Sequence, residues 1–233
     1  MTRRGVTATV WVVLVALVLG LLVGRQWGQH SSTTTSGATT STNVTTTTVV
    51  LQPTSAIWPF ASTPTRFATP MLAAQTFALD YLGFTNPIFE PFQRGDTRSG
   101  EVPVRTSLNG AVTTILVRQV TSDESWWVIG AVSPNISITT PTALETITSP
   151  VLLKGTSTAY EAVVNLEVRQ DGTLTPLIRS TVMGGSMGVM GSFTKTVKYP
   201  TPSASSGAIV MYTLSPKDGS VLEASVLRVA FQK

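Results

Sequence analysis

Apolar positions run without a break near the start of the chain and alternate with polar ones towards its end. Gly5 to Gly24, GVTATVWVVLVALVLGLLVG, carries no charge. Twenty helical residues at ~1.5 Å each span ~30 Å, the thickness of a bilayer's hydrocarbon core, so the run predicts a transmembrane helix over 5–24. A second helix is predicted from Pro70 to Leu82. Thr69 stands at its N-cap, Pro70 at its first position and Gly83 at its stop, and Met71, Ala74, Ala78, Tyr81 and Leu82 form the apolar stripe. Strand-like runs follow at Glu101–Leu108, Ala111–Val120 and Ser125–Ser133, the first two joined by the hairpin signal Asn109-Gly110. After Ser133-Pro134-Asn135 the pattern is strand and turn to the end, at Ile136–Thr139, Val151–Ser157, Ala162–Gln170, Thr173–Arg179, Ser192–Tyr199, Ala208–Leu214 and Val221–Phe231. Asp171-Gly172 and Pro216-Lys217-Asp218-Gly219 read as turns.

These elements predict two outer units on an anchor. Residues 66–135 read as a small α+β domain, one helix packed on a three-stranded antiparallel meander. Residues 136–233, with seven short strands at sandwich spacing, read as an all-β immunoglobulin-like sandwich. The disulfide and partner tryptophan of antibody domains are absent from it. Between anchor and domains, 25–65 reads as a Ser/Thr-rich disordered stalk. Fourteen of the eighteen residues from Ser31 to Thr48 are Ser or Thr, and no charge occurs between Arg25 and Arg66, so there is little to bury against the entropy of ordering. Arg3 and Arg4 precede the apolar run and Arg25 alone follows it closely, which puts 1–4 in the cytoplasm and everything after the anchor outside. Gly24-Arg25-Gln26-Trp27 offers no small-residue cleavage site, so the segment reads as a retained signal anchor.

Charge adds one exclusion. The formal charge is +4, but three of the sixteen basic residues flank the anchor and the other thirteen are scattered among twelve acids. That is no nucleic-acid footprint. The only histidine is His30 and there is no cysteine, which removes Ser–His and Cys–His nucleophilic pairs and nearly every His or Cys metal site. No motif positions a carboxylate pair such as Asp96 with Glu101. The chain therefore reads as non-enzymatic, with no cofactor.

Within the sandwich, TSPVLLKGTSTAYEAVVNLEV, GSFTKTVKY, GAIVMYTLSPKDGS and SVLRVAF are arranged in one order. They include the pair Tyr160-Glu161, the strand opening Gly191-Ser192-Phe193 and the turn Asp218-Gly219. Residues 136–231 resemble the immunoglobulin-like domain family first described in bacterial spore-germination proteins. The resemblance implies a bacterial, surface-exposed module of interaction type, brings no catalytic residues, and suggests a link to sporulation or germination. The anchor, stalk and preceding domain resemble arrangements in actinobacterial envelope proteins.

Partner-binding candidates are Trp126 and Trp127 in the third strand and Met183, Met187 and Met190 in a loop rich in glycine. Alternation puts one indole on each face of the sheet, where an exposed one could stack on a sugar. Methionines fill core gaps, form adaptable contact surfaces, or bind Cu(I) through thioether sulfur. Of these uses packing is the commonest, a contact surface next, and Cu(I) ligation by Met183, Met187 and Met190 last. The expected protein is a non-catalytic, membrane-anchored scaffold or binding protein whose partner is an envelope protein or cell-wall polymer. A receptor for a wall glycan or small ligand, using 66–135, is the alternative.

Overall fold

A computed structural model describes residues 53–232. The expected anchor at 5–24 and the Ser/Thr-rich part of the stalk lie outside the described residues. Among those described, no helix is long and apolar enough to cross a membrane.

The helical segment begins where its local signals put it. Helix α1 runs Pro70–Thr76, and the Thr69 hydroxyl accepts from the Leu72 N–H at 3.2 Å. A π turn, Phe77–Tyr81, continues it, and Gly83 ends it at φ +76. The wider π turn rotates the buried face, so Ala73 and Phe77 join Ala74, Ala78, Tyr81 and Leu82 in the core while Met71 is only half-buried.

Strands follow in chain order: β1 Ile88–Phe89, β2 Gln93–Arg94, β3 Ser99–Arg105, β4 Thr113–Gln119, β5 Trp126–Val132, β6 Ile136–Thr140, β7 Thr146–Ile147 and β8 Val151–Ala159. The rest are β9 Val163–Gln170, β10 Ile178–Met183, β11 Gly185–Ser186, β12 Gly191–Val197, β13 Ser206–Leu214 and β14 Val221–Phe231. One long sheet has the order β1-β3-β4-β5-β14-β13-β9-β10, with β2 on β3 and β7 on β14. A smaller sheet joins β6, β8, β12 and β11, and faces the β14-β13-β9-β10 half across a core of Leu153, Leu166, Phe193, Ile209, Met211 and Phe231. The described residues are mostly β, with an immunoglobulin-like sandwich and one short helix.

Three local expectations change. The turn at Asn109-Gly110 is not a two-residue hairpin: the last β3–β4 pair is Val104 with Thr113, and Arg105 holds the wider loop by donating to the Leu108 carbonyl at 3.0 Å. The strand expected at Thr173–Arg179 starts later, as β10, because residues 171–177 form the connection from β9. The stalk, expected to reach residue 65, gives way to structure earlier. Ala56, Ile57 and Phe60 are buried, and Ile57 donates to the Val128 carbonyl at 2.7 Å while Val128 donates back to Trp58, also at 2.7 Å. The run Ala56-Ile57-Trp58-Pro59-Phe60 has enough apolar surface to dock on β5, although proline prevents a regular strand.

The long sheet runs across residues 135 and 136, where the sequence divides its two outer units. β14 meets β5 at Val226–Ala131, and one core cluster holds Phe77 and Tyr81 of the helix together with Ala208, Val210, Ala224 and Val226. β13 and β14 are thus covered on both faces, by the small sheet on one side and the helical segment on the other. Two-sided burial explains why AIVM and ASV run with little polar alternation.

A buried ionic group ties the helical segment to the sandwich. Glu167 accepts from Arg169 Nε at 2.6 Å, Arg179 Nε at 3.0 Å and Tyr212 Oη at 3.1 Å, and Arg169 also donates to the Tyr81 carbonyl at 2.5 Å. Burial alone would raise the Glu167 carboxyl, but Arg169, Arg179 and Tyr212 outweigh it and hold the group below its usual range. Its folded value is lower than its unfolded one, so its stabilisation is complete above the unfolded value and is lost as pH falls through the folded one. Denaturant unfolding of the full chain across the acid range is expected to show this loss. Glu167→Gln, with no carboxyl to titrate, should show a shallower acid dependence; an unchanged slope would remove Glu167 from the account.

Candidate functional site

The largest change from expectation is in the methionine-rich loop. It lies between β10 and β12 and includes β11, which pairs in parallel with Thr158–Ala159 of β8. The Val189 N–H donates to the Ser186 carbonyl at 2.9 Å and closes a turn whose central residues, Met187 and Gly188, have φ of 54 and 81. The Gly188 N–H is in turn bound by Thr158 Oγ1 at 3.1 Å. Gly185 permits the tight return of the chain: a Cβ there would sit 1.8 Å from the Val189 carbonyl oxygen. These fixed points push the side chains outward. Met187 is 80% exposed, Val189 70% and Met183 67%, with Met190 also exposed. The packing role expected for the methionines is therefore not what the structure shows.

Beside the turn, Tyr160 starts a short 3-10 segment and is 61% exposed. Glu161 and Ala162 follow at φ 56 and 62, left-handed values that cost energy for residues with a side chain. Among the described residues, Glu161, Ala162 and Met187 are three of the six non-glycine residues with positive φ. Such strain persists only where neighbours enforce it, here through the Gly184 N–H bonded to the Ala162 carbonyl at 3.2 Å. Tyr160, Met187, Asn135, Thr158, Ala159 and Gly188 line an open depression of about 270 Å³ together with buried Glu223.

The other sequence candidates are elsewhere. Trp126 is 8% exposed and packs edge-on against Phe92, and Trp127 is fully buried on the opposite face with Ala56 and Val120. One indole does lie on each face, but both are covered, so neither Trp126 nor Trp127 offers a stacking platform for a glycan. Arg66 lies 4.7 Å over the Trp127 ring, and Trp127 Nε1 donates to Thr121 at 3.2 Å. Of the thioethers considered for Cu(I), Met187 alone lines the depression, while Met183 ends β10 opposite Val163. Among the described residues no group of three or more His, Asp or Glu could hold a metal ion. Asp96 is a surface turn residue whose carboxyl is held below its usual range first by the Arg98 backbone N–H.

Of the residues that line this surface the sequence singled out Met187 as a binding candidate, and neither Tyr160 nor Glu223. Tyr160 had a signal, as half of the Tyr160-Glu161 pair. Glu223 had none, because its hydrogen bonds to Ser133 and Asn135 reach across about ninety residues.

Fold and surface together define an immunoglobulin-like sandwich that presents an apolar turn to solvent. Residues 135–220 match the family described as the immunoglobulin-like domain of bacterial spore germination, so the C-terminal part of the chain carries a domain of that family. β14, beyond the matched residues, pairs with β13 in the sheet that faces the sandwich core. No curated protein and no solved structure matches the chain.

Proposed function

We infer that the protein is a non-catalytic, membrane-anchored binding or scaffolding protein of the bacterial envelope, holding its sandwich outside the membrane for a protein partner. The observation that carries this reading is the outward turn: Tyr160, Met187, Val189 and Met190 leave a contiguous loop region apolar and exposed on a domain of interaction type. Clustered exposed apolar side chains of this kind mark contact surfaces, and methionine suits one that must adapt to its partner. The segment 5–24 would anchor the chain and the Ser/Thr-rich stalk would confine the sandwich near the membrane, raising its effective concentration for partners there. The family's description associates the domain with spore germination, and a place in that process belongs to the same proposal.

Protease added to intact, wall-stripped cells tests the tether. Cleavage in the stalk with release of a folded fragment is expected. Protection of residues 53–233 until the cells are lysed would overturn the outward topology.

A further inference from the structure

The acids withdrawn from solvent in the sandwich are not treated alike. Glu167 faces Arg169 and Arg179, and Asp171 faces Arg228. Glu223 is 5% exposed and receives only neutral donors: the Ser133 hydroxyl, Asn135 Nδ2 at 3.1 Å and Thr213 Oγ1 at 3.3 Å. Among the described residues no Lys or Arg pairs with it. A carboxylate removed from water without a counter-charge is costly, and this one lines an open depression rather than a closed core.

We propose that this depression binds a lysine or arginine side chain of a protein partner, with the aliphatic stem between Tyr160 and Met187 and the charged head at Glu223. The inference rests on the reading of this loop as a binding surface and adds the chemistry of what binds. Size favours a single side chain, since about 270 Å³ is below the range of sites for drug-sized ligands, roughly 300–1,000 Å³. Charge favours a cation. Glu223 is the one charged residue among those that line the depression, and exposed Glu161 follows Tyr160. Chemistry of the rim favours a long stem with a cationic end: a tyrosine ring attracts a cation at its face, and methionine repacks around alkyl chains of differing shape. Exposed Val189 and Met190 extend the apolar surface beyond the depression, which a free amine would leave uncovered and a peptide with apolar flanks would cover.

Panning a displayed library of random peptides on the full chain tests this. The enriched peptides are expected to carry a lysine or arginine beside apolar residues and to lose binding to Tyr160→Ser and Met187→Ser. Glu223→Gln should weaken them by about 30-fold or more, the usual result of removing one partner from a buried charge pair. Replacing the peptide's basic residue by norleucine should cost as much on the unaltered chain and little on Glu223→Gln. This peptide arm decides the matter even if Glu223→Gln fails to fold. Peptides that need Tyr160 and Met187 but have no basic residue would overturn the cation site and leave the binding surface standing. Peptides indifferent to Tyr160 and Met187, or no enrichment at all, would overturn both.

Discussion

Asp171→Ala is expected to destabilise the fold by about 3–5 kcal/mol, the typical result of leaving a buried charge without its partner. Arg228 is only 2% exposed at its side chain and meets Asp171 at 2.5 Å through Nη1 and 2.6 Å through Nη2. Its remaining acceptors are the Thr54 and Gly207 carbonyls and the Ser206 hydroxyl, all neutral. A guanidinium cannot shed its proton to escape, so the whole penalty falls on the folded state. The melting temperature of the full chain should fall by about 6–20 °C. The double variant Asp171→Ala/Arg228→Met should recover part of the loss, since an apolar side chain in that place leaves no charge to satisfy. A fall under about 1 kcal/mol in the single variant would mean that the pair is effectively solvated.

Trp127→Ala should cost about 3–5 kcal/mol for a different reason, a cavity in a packed layer. The indole is fully buried with Ala56 and Val120, and losing it also removes the cation–π contact with Arg66 and the bond to Thr121. The denaturant midpoint should drop with the slope unchanged. Tyr160→Ser, at an exposed position, should stay within about 0.5 kcal/mol of the parent. The contrast would separate Trp127, expected to serve stability, from Tyr160, proposed to serve contact. A stable Trp127→Ala protein that loses binding would reverse those roles.

What could be read from the sequence was what short-range chemistry decides. Thr69, Pro70 and Gly83 place the helical segment because caps and stops act within one turn. The π turn after Thr76 could not be read, since it arises where the segment packs on the sheet and has no residue signature of its own. Asp171 was legible as a turn residue, but its counter-ion Arg228 is fifty-seven residues away. The methionine loop was visible as composition, and its outward orientation was not. That orientation depends on Gly185 approaching Val189 and on Thr158 of another strand binding Gly188. The continuous hydrophobic run of β13 was the one long-range feature with a local trace, because burial on both faces suppresses alternation.

The most direct test of the account is site-specific photo-cross-linking in the native envelope, with a photoreactive residue at Met187 in one strain and at Leu144 in another. Both positions are exposed and apolar, and Leu144 lies outside the loop surface. A discrete adduct is expected from Met187 that disappears when Tyr160→Ser is added, and none from Leu144. Adducts of equal yield from both positions, or none from Met187, would contradict the assignment of this turn as the binding surface.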